Sequence, residues 1–486
     1  MKSRLRTSAL LLSASLLAGC IATVQVNEGG PDAQFTRISS TGGSGSFYTP
    51  RGIGGADVPL LYELASDVSA ERLRADVEKL VSFGTRHTLS ETESDTYGIG
   101  AARRWIFDEF TRISEECGGC LEVMYVSDTI SGERRIPEPV EVVSVVAIQR
   151  GTMDPDRMVV MSGDIDSRVS DALDGTSESP GANDNASGMA GAIEAARVLS
   201  KHEFPGTIVY MGLSGEEQGL FGGQIVAAHA IENDWRIKAV LNNDMIGNIT
   251  GINGITNNTT ARVFSEGTRD VETEREARIR RFQGGEVDSP SRNLARYIDR
   301  MADQYIDNLD VMMVYRLDRF GRGGHHRPFN AVGFPGVRIM ETNEHYDRQH
   351  QDLRVEDGRV YGDTIDGVDF DYAAKLTGLN IVTLAGMALA PPIPSNVEIS
   401  GAVQPSTTLS WTLPTGPEAE NLAGYKVYWR LTTDAQWTRS RFVGKVDTFT
   451  LENIVIDNYY FGVAAVAKDG SETPVVFPGP MGSFGE

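Results

Sequence analysis

The chain has 486 residues, 40% of them hydrophobic and 23% charged, with a formal net charge of −22. That length allows two or three domains, and the composition is that of a globular protein, which excludes a disordered one. The acid excess excludes a nucleic-acid partner, since phosphate binding needs a basic surface, and three cysteines are too few for a disulfide scaffold.

Lys2, Arg4 and Arg6 precede an apolar run over 9–17 that is too short to span a bilayer. Residues 1–20 therefore read as an export signal. They end in Leu17-Ala18-Gly19-Cys20, which resembles the lipobox of bacterial lipoproteins. The resemblance implies cleavage before Cys20, lipid on its thiol, and a lipid-anchored place in the periplasm or at the cell surface, on the outer membrane. No later segment reads as long and apolar enough to span a membrane. Residues 21–55, rich in Gly, Ser and Thr, read as a flexible tether.

The folded part begins at 56. Leu73, Val77, Leu80 and Val81 recur at helical spacing and Gly84 closes that helix. A second helix covers 100–113, with Trp105, Ile106, Phe110 and Ile113 on one face. Cys117 and Cys120 come next in Glu116-Cys117-Gly118-Gly119-Cys120. In a cytosolic chain that spacing suggests redox chemistry or zinc; in an exported chain it reads as a local disulfide. Strands are expected at 121–126, 140–148, 158–161, 208–213, 239–241, 312–315 and 336–339. Helices are expected after residue 188, at 291–306 and at 373–389, and the charge-dense 265–290 reads as a solvated loop or surface helix. Strands alternating with helices give an α/β fold, a doubly wound and mostly parallel sheet flanked by helices, over 56–390.

Pro391-Pro392-Ile393-Pro394 stops the last helix. Residues 391–486 then carry short alternating strands at the spacing of an all-β sandwich. Trp411, the Gly424-Tyr425-Lys426-Val427-Tyr428 run and the apolar run 459–466 resemble a fibronectin type III domain. Such a domain could serve as a spacer or make a protein or glycan contact.

The chemistry-bearing residues gather at expected strand ends: Asp164, Asp166, Asp184, Glu216, Glu217 and Asp244, with His350 downstream. Acids crowded on one rim repel unless cations hold them, and these are ligands enough for two divalent ions. Asp184, alone in the loop Gly181-Ala182-Asn183-Asp184-Asn185-Ala186-Ser187-Gly188, is the natural bridge between them. Zinc lowers the pKa of its water to roughly 7, which supplies a hydroxide nucleophile. In the adjacent pair Glu216-Glu217, one carboxylate can face metal and the other can act as general base.

These motifs, in this order, resemble the co-catalytic zinc aminopeptidases of clan MH, family 28, over roughly residues 70–390. By position the resemblance implies a peptide substrate, Asp184 as bridging ligand and Glu216 as general base. It also implies Glu217 and His350 at one metal, Asp164 and Asp244 at the other, and Asp166 as the carboxylate that orients its neighbours. The family pattern opens with His-x-Asp, whereas this chain has Asp164-Ile165-Asp166. An all-oxygen set of Asp164, Asp184 and Asp244 suits Mn²⁺ or Mg²⁺ better than an imidazole-containing one. The expectation is therefore zinc at the Glu217/His350 site and a harder, labile or absent ion at the other. His325 and His326, in Gly323-Gly324-His325-His326, are expected to line the substrate pocket, with replacement of the missing imidazole as the competing reading. The function expected is amino-terminal exopeptidase activity. Glutaminyl cyclase or carboxypeptidase chemistry, and a catalytically degenerate binding protein, are the alternatives.

Overall fold

The computed structural model describes residues 52 and 54–485; the export signal, Cys20 and nearly all of the expected tether lie outside them. The main sheet has strands β1 (Leu121–Ile130), β2 (Val140–Gln149), β3 (Asp154–Asp164), β4 (Gly206–Leu213), β5 (Arg236–Asn243), β6 (Thr260–Ser265), β7 (Asp310–Val314) and β8 (Gly336–Glu341). Their order is β1-β2-β4-β3-β5-β8-β6-β7. The centre is parallel, β3 with β4 and β5, and β5 with β8. The flanks bring antiparallel pairings, β1 with β2, β2 with β4 and β6 with β8. The expected α/β sheet is present, parallel where the central strands end and mixed outside.

Ten helices accompany these strands among the described residues: α1 (Pro59–Ser66), α2 (Ala70–Val81), α3 (Gly98–Glu116), α4 (Gly188–Leu199), α5 (Glu216–Gly219), α6 (Phe221–Glu232), α7 (Glu274–Gln283), α8 (Pro290–Tyr305), α9 (His326–Ala331) and α10 (Phe370–Leu389). Successive strand residues point to opposite faces. Val159 and Met161 of β3 bury against one layer with Ile193 of α4 and Leu384 of α10. Met158 and Val160 bury against the other with Val226 of α6 and Phe329 of α9. Burial on both faces is why the central strands read as unbroken apolar runs. α10 is long and apolar enough by length and composition to cross a membrane, contrary to the expectation that no such segment exists. Most of it is buried against α1, α4 and the sheet, so it serves as the central core helix.

A small hairpin, β9 (Arg354–Glu356) and β10 (Arg359–Tyr361), precedes α10. Beyond the prolines come β11 (Ser395–Ser400), β12 (Thr407–Thr412), β13 (Leu422–Leu431), β14 (Arg439–Gly444), β15 (Thr448–Leu451) and β16 (Tyr459–Ala467). They form two antiparallel sheets, β11-β12-β15 and β14-β13-β16. α8 joins this region to the rest. Its first turn is capped by Ser289, whose hydroxyl accepts from the Arg292 N–H at 3.2 Å. Its apolar stripe packs on α10 and β7, and its polar stripe is buried under the β14-β13-β16 sheet. There Arg300 pairs with Glu472 at 3.0 Å, and Asp288 takes both Arg296 at 3.0 Å and Arg430 at 2.7 Å. Cys117 and Cys120 are joined as a disulfide just after α3.

Candidate metal centre

The parallel strands β3, β4, β5 and β8 all end on one edge, and the site is built from the loops that leave those ends, as in open α/β sheets generally. Asp164 closes β3, Glu216 and Glu217 come after β4, Asp244 after β5, and His350 lies in the loop after β8. Two glycines make the loops possible. Gly215 takes a φ of 73° to turn β4 into α5, and Gly181 takes 50° at the head of the Asp184 loop. A Cβ on Gly181 would stand 2.4 Å from that of Ser167 and 2.6 Å from the Asp184 carbonyl oxygen.

Asp184, Glu217 and His350 converge. Among the described residues, they alone bring three ligand atoms of Asp, Glu, His or Cys within 4.8 Å of one another. His350 Nε2 stands 3.0 Å from Asp184 Oδ2 and 2.9 Å from Glu217 Oε1. Two carboxylate oxygens and one imidazole nitrogen are a donor set that suits zinc with a position left open for a fourth group. His350 holds a φ of 55°, a backbone region that non-glycine residues seldom adopt and that recurs at functional sites. Burial alone would lower the His350 imidazole; Glu217 and Asp184 reverse that and hold it up to about 9. Asp184 is likewise kept below the usual carboxylate range, because His350, Gln349 and Arg322 outweigh its burial.

The supports come from elsewhere in the chain. Asp363 accepts the backbone N–H of Asn183 at 3.0 Å and of Asp184 at 2.6 Å, which fixes the loop. Gln349 donates to Asp184 Oδ2 at 3.1 Å. Arg86, fully buried, donates to the carbonyls of Ile165, Pro180 and Gly181 and ties the two loops together. Asp166 accepts the N–H of Glu216 at 3.2 Å and of Glu217 at 3.1 Å, so it orients the glutamate pair through its backbone. Glu216 is half-buried and lines the cavity. Burial first, then the charges of Asp244 and Glu217, push its carboxyl well above the ordinary value.

The second cation site expected from Asp164, Asp184 and Asp244 is not a cage. Asp164 Oδ1 meets His325 Nδ1 at 2.6 Å, and its Oδ2 accepts from Asn185 Nδ2 at 2.6 Å. Asp244 Oδ2 pairs with Arg338 Nη2 at 2.7 Å. Arg338 also pairs with Asp318 at 3.3 Å and donates to the carbonyls of Asp244 and Gly323, with no part of it exposed. A guanidinium carries its charge permanently. It therefore occupies one oxygen of Asp244, and Asp164 is engaged by a histidine; Asp244 Oδ1 and His325 Nε2 are buried with no hydrogen-bond partner.

His325 and His326 do not line the pocket as expected. Both are fully buried, the first on Asp164 and the second 2.8 Å from the Leu317 carbonyl oxygen and 3.6 Å from Asp318. The glycines before them let the chain dive inward: a Cβ on Gly324 would stand 2.8 Å from Asn242 Oδ1.

Beside the triad opens a cavity of about 1250 Å³, lined by Glu216, Glu217, Asp244 and His350 and by six arginines, among them Arg135 and Arg168. Sequence reasoning missed these arginines, Arg338, Asp363 and Gln349. Of them, Arg338 alone carried a signal, a single cation inside the apolar run 336–341.

The sequence profile of peptidase family M28 matches residues 144–364. A probable zinc metalloprotease of Leptosphaeria maculans is 43% identical over 418 residues, covering 86% of this chain and 96% of that protein. One from Pyrenophora tritici-repentis is 40% identical over 482 residues, covering 97% and 99%. Among solved structures, the LapA aminopeptidase of Legionella pneumophila aligns over 71% of this chain and 78% of its own with a TM-score of 0.50. At 19% identity that likeness concerns the fold alone.

Proposed function

The chain belongs to peptidase family M28, whose zinc metalloprotease members it matches along nearly their whole length, and from that membership we propose that it removes residues from the amino termini of peptides with one zinc ion per chain. Asp184, Glu217 and His350 would hold the ion. Bound there, zinc would supply Lewis acidity toward a peptide carbonyl and a water. The chain's own groups supply the rest. Glu216, lifted by burial and its acidic neighbours, takes the proton and returns it to the leaving amine. Asp166 keeps Glu216 and Glu217 in place, and Asp363 keeps Asp184 in place.

The observation that carries the amino-terminal reading is Asp244 Oδ1. It is buried on the cavity wall with no hydrogen-bond partner, while Oδ2 is engaged by Arg338. An unpaired buried carboxylate oxygen costs free energy until a cation or donor reaches it. A peptide's terminal ammonium is such a group, and it would place the first peptide bond near the triad. Free and amino-acetylated peptides should separate by at least about tenfold in kcat/KM; equal rates would reject the reading. Glu216→Gln should fold and retain zinc yet lose turnover by ~10²–10⁴. A second reading, cyclisation of amino-terminal glutamine, is favoured by the single triad, and release of ammonia from glutaminyl peptides without chain cleavage would select it.

We further propose that the protein is exported and lipid-anchored through Cys20, at the outer membrane or cell surface. The signal-like residues 1–20 and the Cys117–Cys120 disulfide support this. The C-terminal sandwich, fibronectin type III-like in sequence, would offer a protein or glycan contact.

A further inference from the structure

In a chain of net charge −22, the cavity beside the triad is walled by Arg134, Arg135, Arg168, Arg319, Arg322 and Arg327. Arg319 and Arg322 are spent on Glu344, at 2.9 and 2.8 Å. The other side of the cavity is different. Arg135 donates Nη1 to the Glu217 carbonyl oxygen, and its Nε is buried without any partner. Arg168 lies 3.3 Å from Glu217 Oε2 through Nε, and its Nη2 stands 3.2 Å from His350 Nδ1. Both guanidinium groups line the cavity and both meet Glu217. Arg134 stands exposed at the rim. Glu217, whose carboxylate meets Arg168 and whose carbonyl meets Arg135, is one of the three groups that would hold the metal. Arg168 Nε is likewise buried with no hydrogen-bond partner, so two half-buried guanidinium groups and an exposed one face the cavity with one ion pair among them, Arg168 with Glu217.

We propose that Arg135 and Arg168, with Arg134 at the rim, form a subsite for a carboxylate of the peptide substrate, on the Glu217 side of the triad. Guanidinium forks match carboxylates in two-point contact, and unsatisfied buried donors gain most from such a partner. The carboxylate is either the α-carboxylate of a very short peptide or an acidic side chain next to the cleaved residue. This rests on the peptidase reading above, and the test separates the two. Four substrates suffice: Leu-Ala and its amide, and the amides of Leu-Glu and Leu-Gln. One of the two pairs should favour the carboxylate by at least about tenfold in kcat/KM. Arg135→Ala should shrink that preference to threefold or less, and Arg135→Lys should restore part of it. Equal rates within both pairs, or a preference that survives Arg135→Ala, would overturn the subsite. Calorimetric titration of zinc-loaded Glu216→Gln protein with the same peptides reads the subsite without turnover. Tighter binding of the carboxylate member with no hydrolysis by the wild type would keep the subsite and reject the peptidase; hydrolysis without preference would do the reverse.

Discussion

Arg338→Met removes the one cation that stands where a second metal is expected. The wild-type chain should carry one zinc, since Arg338 occupies Asp244 at 2.7 Å and Asp318 at 3.3 Å with no exposed surface among the three side chains beyond a few per cent. Methionine has similar reach and no charge, so it leaves buried Asp244 without its ion-pair partner, while Asp318 keeps Arg319. Breaking one buried pair costs about 3–5 kcal/mol, against a total stability of about 5–15 kcal/mol. The variant should therefore unfold at markedly lower urea in zinc-free buffer, with protonation of Asp244 softening the loss. Adding Asp164→His supplies a nitrogen donor beside the released Asp244. The double variant should then bind a second zinc and recover part of the stability in excess metal. Metal analysis after dialysis gives the count, and urea titration with and without zinc gives the energy. Two tightly held zinc ions in the wild-type chain, or no loss of stability in Arg338→Met, would refute the argument that a guanidinium excludes the second ion.

Zinc bound at the proposed triad would have to displace a proton from the His350 imidazole, held up to about 9 by Glu217 and Asp184. Apparent zinc affinity should rise about tenfold per pH unit between roughly 6.5 and 9, as read by chelator competition. The metal-free protein should show the opposite trend: the raised pKa contributes stability fully present below about 6.5 and lost as pH rises through about 9. Replacing Cys117 and Cys120 by serine opens a very short loop and should cost at most about 2 kcal/mol in urea unfolding, with peptide turnover unchanged. Glu472→Ala strands Arg300 inside the α8 contact, where both side chains are buried, and should cost about 3–5 kcal/mol; a loss below about 1 kcal/mol would mean that the contact is ornamental.

Asp184 and Glu217 were legible because they are carboxylates set among glycines after apolar runs, a local pattern that survives in one dimension; His350, in a polar stretch without glycines, carried no such pattern. The helix α10, which ends at Leu389 just before Pro391-Pro392, was legible from its long apolar run. α6 was not, since its apolar residues surround Gly222 and Gly223 without forming one stripe. β6 was not, being short and interrupted by Arg262. The direction of β1, β2 and β6 could not be read, because an apolar strand pattern is the same in either sense. The histidine pair misled: flanking glycines suggested an open loop, but here they permit burial. Arg338 and Arg168 act through partners 94 and 182 residues distant in sequence, and such pairings leave no trace in spacing.

The buried charges between α8 and the β14-β13-β16 sheet bear on how the molecule comes apart. Asp288 is shared by an arginine from each side of the seam, and Arg300 finds its carboxylate only across it. Pulling the sandwich away would leave naked ions in a dry crevice, so neither half can melt at leisure while the other endures. Heat or force should take both in one concerted step, and a protease that clips between them would gain two ruined fragments instead of a trimmed enzyme.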